Sequence, residues 1–250
     1  MTEAADRSNG LTYESFRQLA RNPELSANEK IGFPDSYRAG FERHILRDMQ
    51  RKLPALHRPG SNVVDIGAGC GDLAHALINC CVARGHSLTL IDSAEMLAGL
   101  SQVEFRGLVG RFPEEMDELI SAEAGSFDVV ICYSVFHYVF AEGAWLRLFD
   151  SALSLLAPGG GMLLGDIPNE SLRNRFFASE SGVRFHQEFT NSDEIPAVRF
   201  NELKPGAIDD AVLAALVGRA RASGFNAYQM PQPASLPMAN RREDIVVYRP

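Results

Sequence analysis

The chain has 250 residues, 46% of them hydrophobic, and a formal net charge of −8. That is enough apolar material for one large domain with an added lobe. An acidic balance without a basic stripe argues against a partner held through many phosphate contacts, so no nucleic-acid partner is expected.

The opening MTEAADRSNG is polar and has no charged-then-apolar leader, and no later run approaches a bilayer span. No membrane partner and a cytoplasmic location are therefore expected. The cysteines, Cys70, Cys80, Cys81 and Cys132, show no CxxC spacing and read as reduced, buried thiols. His44, His57, His75 and His86 are scattered, without HxxH or HxxE spacing, so no metal site is expected.

Residues 1–60 read as an amino-terminal helical lobe. YESFRQLARN places Tyr13, Phe16 and Leu19 at helical spacing. NEKIGFPDSYRAG holds a Pro-Asp turn, after which Asp35 or Ser36 is expected to cap one helix over 37–56. HRPGS closes the lobe. Residues 61–250 then alternate strand and helix. NVVDI, SLTLID, VEFRGLVG, FDVVICY and GMLLGDI are five predicted strands. The helices between them are GDLAHALINCCVARG, closed by Gly85, then AEMLAGL, PEEMDELISAEAG with Pro113 in its first turn, and GAWLRLFDSALSLLAPGG. Such alternation predicts a parallel sheet covered on both faces, with ligands at the carboxyl ends of its strands. Residues 168–204 break the rhythm as a long, polar and aromatic insertion, read as a lid. After one more helix, NAYQMP and EDIVVYRP form a terminal strand pair, so the last strand is expected to run antiparallel. The fold class is α/β: a doubly wound, seven-stranded, mostly parallel sheet with a helical lobe and a lid after the fifth strand.

VVDIGAGCGDL joins the first strand to its helix through Gly67, Gly69 and Gly71. Glycine lets a backbone reach positive φ and approach a ligand, and the helix start offers free N–H groups. The spacing is GxGxG, not the GxGxxG of dinucleotide sites. Asp72 stands where a pyrophosphate would rest, and a carboxylate there repels phosphate but tolerates a cation. The second strand ends in Asp92, placed to accept hydrogen bonds from ribose hydroxyls, a device that serves either type of cofactor.

These segments, with FDVVICYSVFHYV and LLAPGGGMLL, resemble the motifs of class I S-adenosylmethionine (SAM)-dependent methyltransferases over residues 61 to about 168. The resemblance implies SAM as cofactor. It places Gly67, Gly69 and Gly71 against SAM, Asp65 on the turn or the methionine amine, and Asp92 on the ribose. Ser93 and Met96 flank the adenine, and Tyr133 and Ser134 border the transferable methyl. Many members carry an Asp after the third strand for the adenine amine. Here Gly110, Arg111 and Phe112 stand there, so backbone groups or the Phe112 ring take that contact. EKIGFPDSYR, GDIPN and RFFASESGVRFHQEF are similar to methyltransferases encoded in bacterial surface-polysaccharide clusters, which implies a sugar or sugar-linked acceptor.

His137 follows the fourth strand and is read either as a general base for an acceptor hydroxyl or as a packing residue. Arg173, Arg175, Arg184 and His186, with Phe176, Phe177 and Phe185, form a basic aromatic segment. It is either a solvated lid paired with Glu170, Glu180 and Glu188 or a clamp for an anionic acceptor. Tyr37 and Arg38 would close over the same pocket. The reading is O-methylation of a small-molecule acceptor. Methylation of a small carboxylate or phosphonate, an NAD(P)-dependent oxidoreductase and a non-catalytic SAM-binding protein are the alternatives. Oligomeric state is not legible.

Overall fold

The computed structural model describes residues 11–100, 105–202 and 204–250. The leading MTEAADRSNG and the predicted start of the third strand at Val103 and Glu104 lie outside the described residues.

The strands are β1 (Asn62–Ile66), β2 (Ser87–Asp92), β3 (Arg106–Val109), β4 (Phe127–Tyr133), β5 (Leu156–Pro168), β6 (Asn226–Pro231) and β7 (Arg242–Tyr248). They form one sheet in the order β3-β2-β1-β4-β5-β7-β6. β7 runs antiparallel to both neighbours and the other pairings are parallel, as the terminal strand pair predicts. The order reverses beside β1, between β2 and β4, and such a switch point opens a crevice at the strand ends.

Alternate residues of each strand enter opposite layers. Val64, Ile66, Val130, Cys132, Met162, Leu164, Ile245 and Val247 face one apolar layer. Val63, Val129, Ile131, Leu163 and Val246 face the other. Both faces are covered, which is why the central strands read as unbroken apolar runs. Helices α4 (Glu42–Lys52), α5 (Asp72–Arg84) and α6 (Ala94–Leu97) cover the second layer with Ile45, Met49, Leu77, Cys81 and Leu97. Helices α7 (Asp117–Ala122), α8 (Phe136–Ala141), α9 (Trp145–Ser154) and α12 (Asp210–Ala222) cover the first with Leu119, Phe136, Phe149, Leu213 and Leu216. Each such side chain contributes about 1.5–3 kcal/mol by leaving water. α5 ends on Gly85 at φ 65°, as its sequence predicts.

Several expectations need correction. The single helix over 37–56 is two helices and a turn: α3 (Asp35–Arg38), α4, and a 3-10 turn at Pro54–His57. Gly40 at φ +87° breaks the first junction, and Pro54, which has no N–H to donate, breaks the second. Neither Asp35 nor Ser36 is the cap: Pro34 holds that position without a side-chain bond. Asp35 instead accepts from Ser26 Oγ and Asn28 Nδ2, both at 2.9 Å, tying α3 to α2 (Ala27–Lys30). Pro113 does not open a helix, because residues 112–115 form turns and α7 starts at Asp117. The insertion holds two helices, α10 (Glu170–Phe177) and α11 (Glu180–Thr190), capped by Asn169 and Ser179. Among the described residues, no helix is long and apolar enough to cross a membrane. Cys70, Cys81 and Cys132 are buried free thiols and Cys80 is half-buried. His86 is a satisfied core residue, its Nδ1 accepting from Ser61 N at 3.0 Å.

Candidate functional site

The turn after β1 carries Gly67 at φ +73° and Gly69 at φ +66°, a region that L side chains enter only with strain. A Cβ on Gly67 would meet Val135 Cγ2 at 2.5 Å. A Cβ on Gly69 or Gly71 would meet Ile31 at 2.8 or 2.9 Å. The glycines therefore do more than bend the chain: they let a residue of the lobe lie directly on the turn. Gly67 N donates to Ile91 O at 2.8 Å, which ties the turn to β2.

Asp92, at the end of β2, closes this arrangement. Its Oδ2 accepts from Gly69 N at 2.8 Å and its Oδ1 from Ser93 N at 2.6 Å. Both oxygens keep free lone pairs. Ser93 itself is turned away, with its Oγ capping α6 by accepting from Met96 N at 3.3 Å.

A cavity opens over these elements. Of the residues predicted for the cofactor, Asp65, Gly67, Gly69, Gly71, Asp92, Met96, Phe112, Tyr133 and Ser134 line it; Ser93 does not. Arg38 lines it as well, whereas Tyr37, His137, Arg173, Arg175, Arg184 and His186 do not. Asp72 is exposed and also lies off the cavity. The carboxylates that would repel a pyrophosphate here are Asp65 and Asp92.

Asp65 is the electrostatic centre. It is 8% exposed, and among the described residues its carboxylate has no hydrogen-bond or ion-pair partner. Burial, with Asp92 adding a like charge, pushes its carboxyl up to about 7. Burial also raises Asp92, against the two N–H groups that lower it. An orphaned carboxylate beside a second one with free lone pairs suits a ligand with a positive charge and neighbouring hydroxyls. SAM fits that donor set through its ammonium, sulfonium and ribose; a phosphate-bearing dinucleotide does not.

The far end of the cavity is a buried polar network. Ser134 Oγ donates to Asp166 Oδ2 at 2.5 Å, and Arg38 Nη1 reaches Ser134 Oγ at 3.3 Å. Arg38 is 4% exposed, stacked over Phe33 at 4.9 Å and Tyr133 at 5.5 Å, and its Nε has no partner. Arg242 Nη1 donates to both the carbonyl and Oδ2 of Asp166 at 2.9 Å. Ser134 and Asp166 sit at φ 61° and 60°, strained values that this network holds in place. Behind it, Lys52 Nζ bridges Asp48 Oδ2 at 2.6 Å and Asp244 Oδ2 at 2.7 Å.

His137 lies beside this network. Both of its ring nitrogens are buried without a partner. Burial, and then the nearby Arg242, hold its proton affinity well below the usual imidazole value, so the ring is neutral. On the insertion, Arg173 pairs with Glu170 at 3.5 Å and Arg175 with Asp210, not with an acid of its own segment. Arg184 is exposed, and His186 packs against Phe177.

Sequence reasoning missed most of the cavity's cover. Tyr13 and Phe16 of α1 (Tyr13–Arg21), with Ile31 and Phe33, close it from the lobe, and Tyr138 of α8 meets Phe16 edge-on at 4.8 Å. Arg17 and Arg21 both reach Glu95 of α6, fastening α1 over the site. The helical spacing of Tyr13 and Phe16 marked an apolar face but not what it covers. Asp166 had a usable signal, since it stands at the carboxyl end of a predicted parallel strand.

A family model described as a methyltransferase domain matches residues 38–202. The ubiquinone biosynthesis O-methyltransferase of a Caulobacter species is 31% identical over 117 residues, 46% of this chain and 43% of that protein. The ribosomal RNA large subunit methyltransferase G of Pseudomonas paraeruginosa is 34% identical over 125 residues, 47% of this chain and 31% of that protein. These matches span less than half the length of the curated relatives. The plantazolicin methyltransferase BamL, solved with S-adenosylhomocysteine (SAH), superposes with a TM-score of 0.60 at 12% identity, covering 98% of this chain and 97% of that one.

Proposed function

This chain belongs to the SAM-dependent methyltransferase family, and from that premise we propose that it methylates an oxygen of a small-molecule acceptor, a sugar or sugar-linked compound. The observation that carries the reading is the pair of carboxylates, Asp65 and Asp92, facing one glycine-turn cavity, with Asp65 unpartnered.

When bound, SAM supplies an electrophilic methyl group on a positively charged sulfur. Asp65 is the counter-charge for its ammonium. The free lone pairs of Asp92 receive the ribose hydroxyls, while Gly69 and Ser93 N–H fix the carboxylate's orientation. Met96 and Phe112 form the apolar seat for the adenine. Tyr13, Phe16, Ile31 and Phe33 exclude water from above. Tyr133 and Ser134 border the transfer end. His137 takes the acceptor's hydroxyl proton: it is neutral, so one of its two unpartnered nitrogens carries a free lone pair.

Oxygen as the methylated atom is supported by the Caulobacter relative, an O-methyltransferase by name. The sugar class rests on the resemblance of the Pro-Asp, GDIPN and insertion segments. A small acceptor rather than a nucleic acid is supported by the net charge of −8, although one relative is named for ribosomal RNA.

Calorimetric titration with SAM, SAH and NADH tests the cofactor. SAM and SAH are expected to bind, and Asp92→Ala to weaken both by about tenfold or more, the worth of a charge-assisted hydrogen bond. Binding of NADH alone would overturn the reading. With labelled SAM and a panel of sugars, His137→Gln is expected to lower kcat by about 10²–10⁴ with SAH affinity unchanged. Because His137 keeps its base form well below the usual pH, the wild-type kcat at saturating SAM should not fall between pH 8 and about pH 6.5.

A further inference from the structure

A second basic surface lies outside the cofactor cavity, where the lobe and the insertion meet over the ends of β5 and β7. Its centre is Arg241, a residue the motifs do not include. The Arg241 guanidinium stands 5.3 Å from the Phe177 ring centre and 5.6 Å from that of Phe185. Arg173 covers the same Phe177 ring at 5.1 Å. Arg241's hydrogen-bond partner is neutral, Asn240 Oδ1 at 3.0 Å, and among the described residues no carboxylate pairs with it.

From this point guanidiniums run inward. Arg242 adjoins Arg241 and holds Asp166 at 2.9 Å; Arg38 approaches the same carboxylate at 3.6 Å and lines the cavity. Glu170 pairs with Arg173 and is shared with Lys204 at 3.4 Å. Asp244 is held by Lys52, while Glu243 accepts from the neutral amides of Asn169 and Gln229 and keeps its charge, so that Asp166, Glu170 and Glu243 stand against Arg38, Arg173, Arg241, Arg242 and Lys204. The row therefore keeps unbalanced positive charge. Burial and the neighbouring Arg173 and Arg242 lower the proton affinity of Arg241, with Tyr37 of the lobe acting in the opposite direction. Like charges held together on a hydrophobic platform repel, and a bound anion removes that repulsion. Guanidinium forks fit the oxygens of phosphate or carboxylate.

We propose that this row binds an anionic group of the acceptor, a phosphate or a carboxylate, with Arg241 as the anchoring residue and the Phe177 ring as its platform. The rest of the acceptor then extends past Arg242 and Arg38 towards the transfer end of the cavity. The proposal rests on the methyltransferase reading and adds the chemical class of the acceptor.

The test uses the full chain saturated with SAH and titrated with inorganic phosphate, acetate and glucose. At least one of the two anions is expected to bind and glucose alone is not, and which anion binds separates phosphate from carboxylate. Arg241→Gln should weaken the anion about tenfold or more, while Arg241→Lys, which keeps the charge and loses the fork, falls between wild type and Arg241→Gln, and SAH binding is unchanged in both variants. If Arg241→Gln also loses SAH, Arg173→Gln carries the same expectation. Binding of SAH without either anion, or equal anion affinity in wild type and a folded Arg241→Gln, would overturn the inference alone. Failure of the wild type to bind SAH would overturn the methyltransferase reading beneath it.

Discussion

Replacing Asp65 by asparagine tests whether this carboxylate is kept for a cationic ligand at a cost to the fold. The folded carboxyl titrates at about 7, against 3.8 in an open chain, because burial and the Asp92 charge both disfavour ionisation. At 1.36 kcal/mol per pKa unit, holding it ionised costs the ligand-free fold about 4 kcal/mol. The sign follows from proton counting. Between about pH 4 and about pH 7 the open chain has lost this proton while the fold keeps it. Stability therefore falls as pH rises through that window, and the loss is constant above it. The neutral amide of the variant would carry no such penalty, so Asp65→Asn should melt higher than wild type at pH 8 without ligand. The expected difference is about 10 °C for a chain of this size, shrinking towards zero near pH 4.5. SAM reverses the order, because its ammonium then meets the ionised carboxylate. Wild-type affinity for SAM should drop about tenfold for each pH unit below 7, whereas the variant should bind weakly and without that slope. Scanning calorimetry gives the first comparison and titration calorimetry the second. An Asp65→Asn protein that melts below wild type at pH 8, or a wild-type SAM affinity that is level from pH 5 to pH 8, would refute the argument.

Three other outcomes follow from the packing. Lys52→Met leaves Asp48 and Asp244 facing each other inside the protein. Burial already raises the Asp244 carboxyl with Lys52 present, so chemical denaturation should show a loss of about 3–5 kcal/mol at pH 7. Gly71→Ala would drive a methyl group into Ile31 Cδ1, 2.9 Å from the ideal Cβ position. Its loss of SAH affinity should be largely recovered in the Gly71→Ala, Ile31→Ala double variant, and a double variant no better than the sum of the two single changes would count against that contact. Glu95→Gln removes the carboxylate that receives Arg17 and Arg21, whose hydrogen bonds hold its carboxyl down at about 2. Cleavage by trypsin in α1 should quicken by less than about fivefold, as befits pairs that water still reaches. SAH should protect the wild type more than the variant.

The order of strands and helices, the glycine turn and the acid at the end of β2 were legible because each is written in neighbouring residues. Apolar runs set the strands, Gly85 closes α5, and Gly67 and Gly69 take the positive φ that the turn requires. A carboxylate one residue past a parallel strand's apolar run lies at the ligand-binding edge of any such sheet. From those local signals alone the sheet, its antiparallel last strand and the cofactor cradle could be named.

The rest depended on residues brought together from distant parts of the chain. Arg38 meets Ser134 across 96 positions and Lys52 meets Asp244 across 192. Helical spacing gave Tyr13 and Phe16 an apolar face but could not say that Asp92 and the glycine turn lie under it. Likewise, Arg175 had acids within its own segment, yet the packing of α10 beside α12 presents Asp210 to it. Arg241 sits within no motif, and its role emerges only when the start of β7 brings it beside the Phe177 and Phe185 rings of the insertion. Sequence alone determined the cradle, because backbone conformation and strand burial are local and periodic. Tertiary structure decided what covers the cradle and where charge is left unpaired, because those depend on which side chains share one desolvated space.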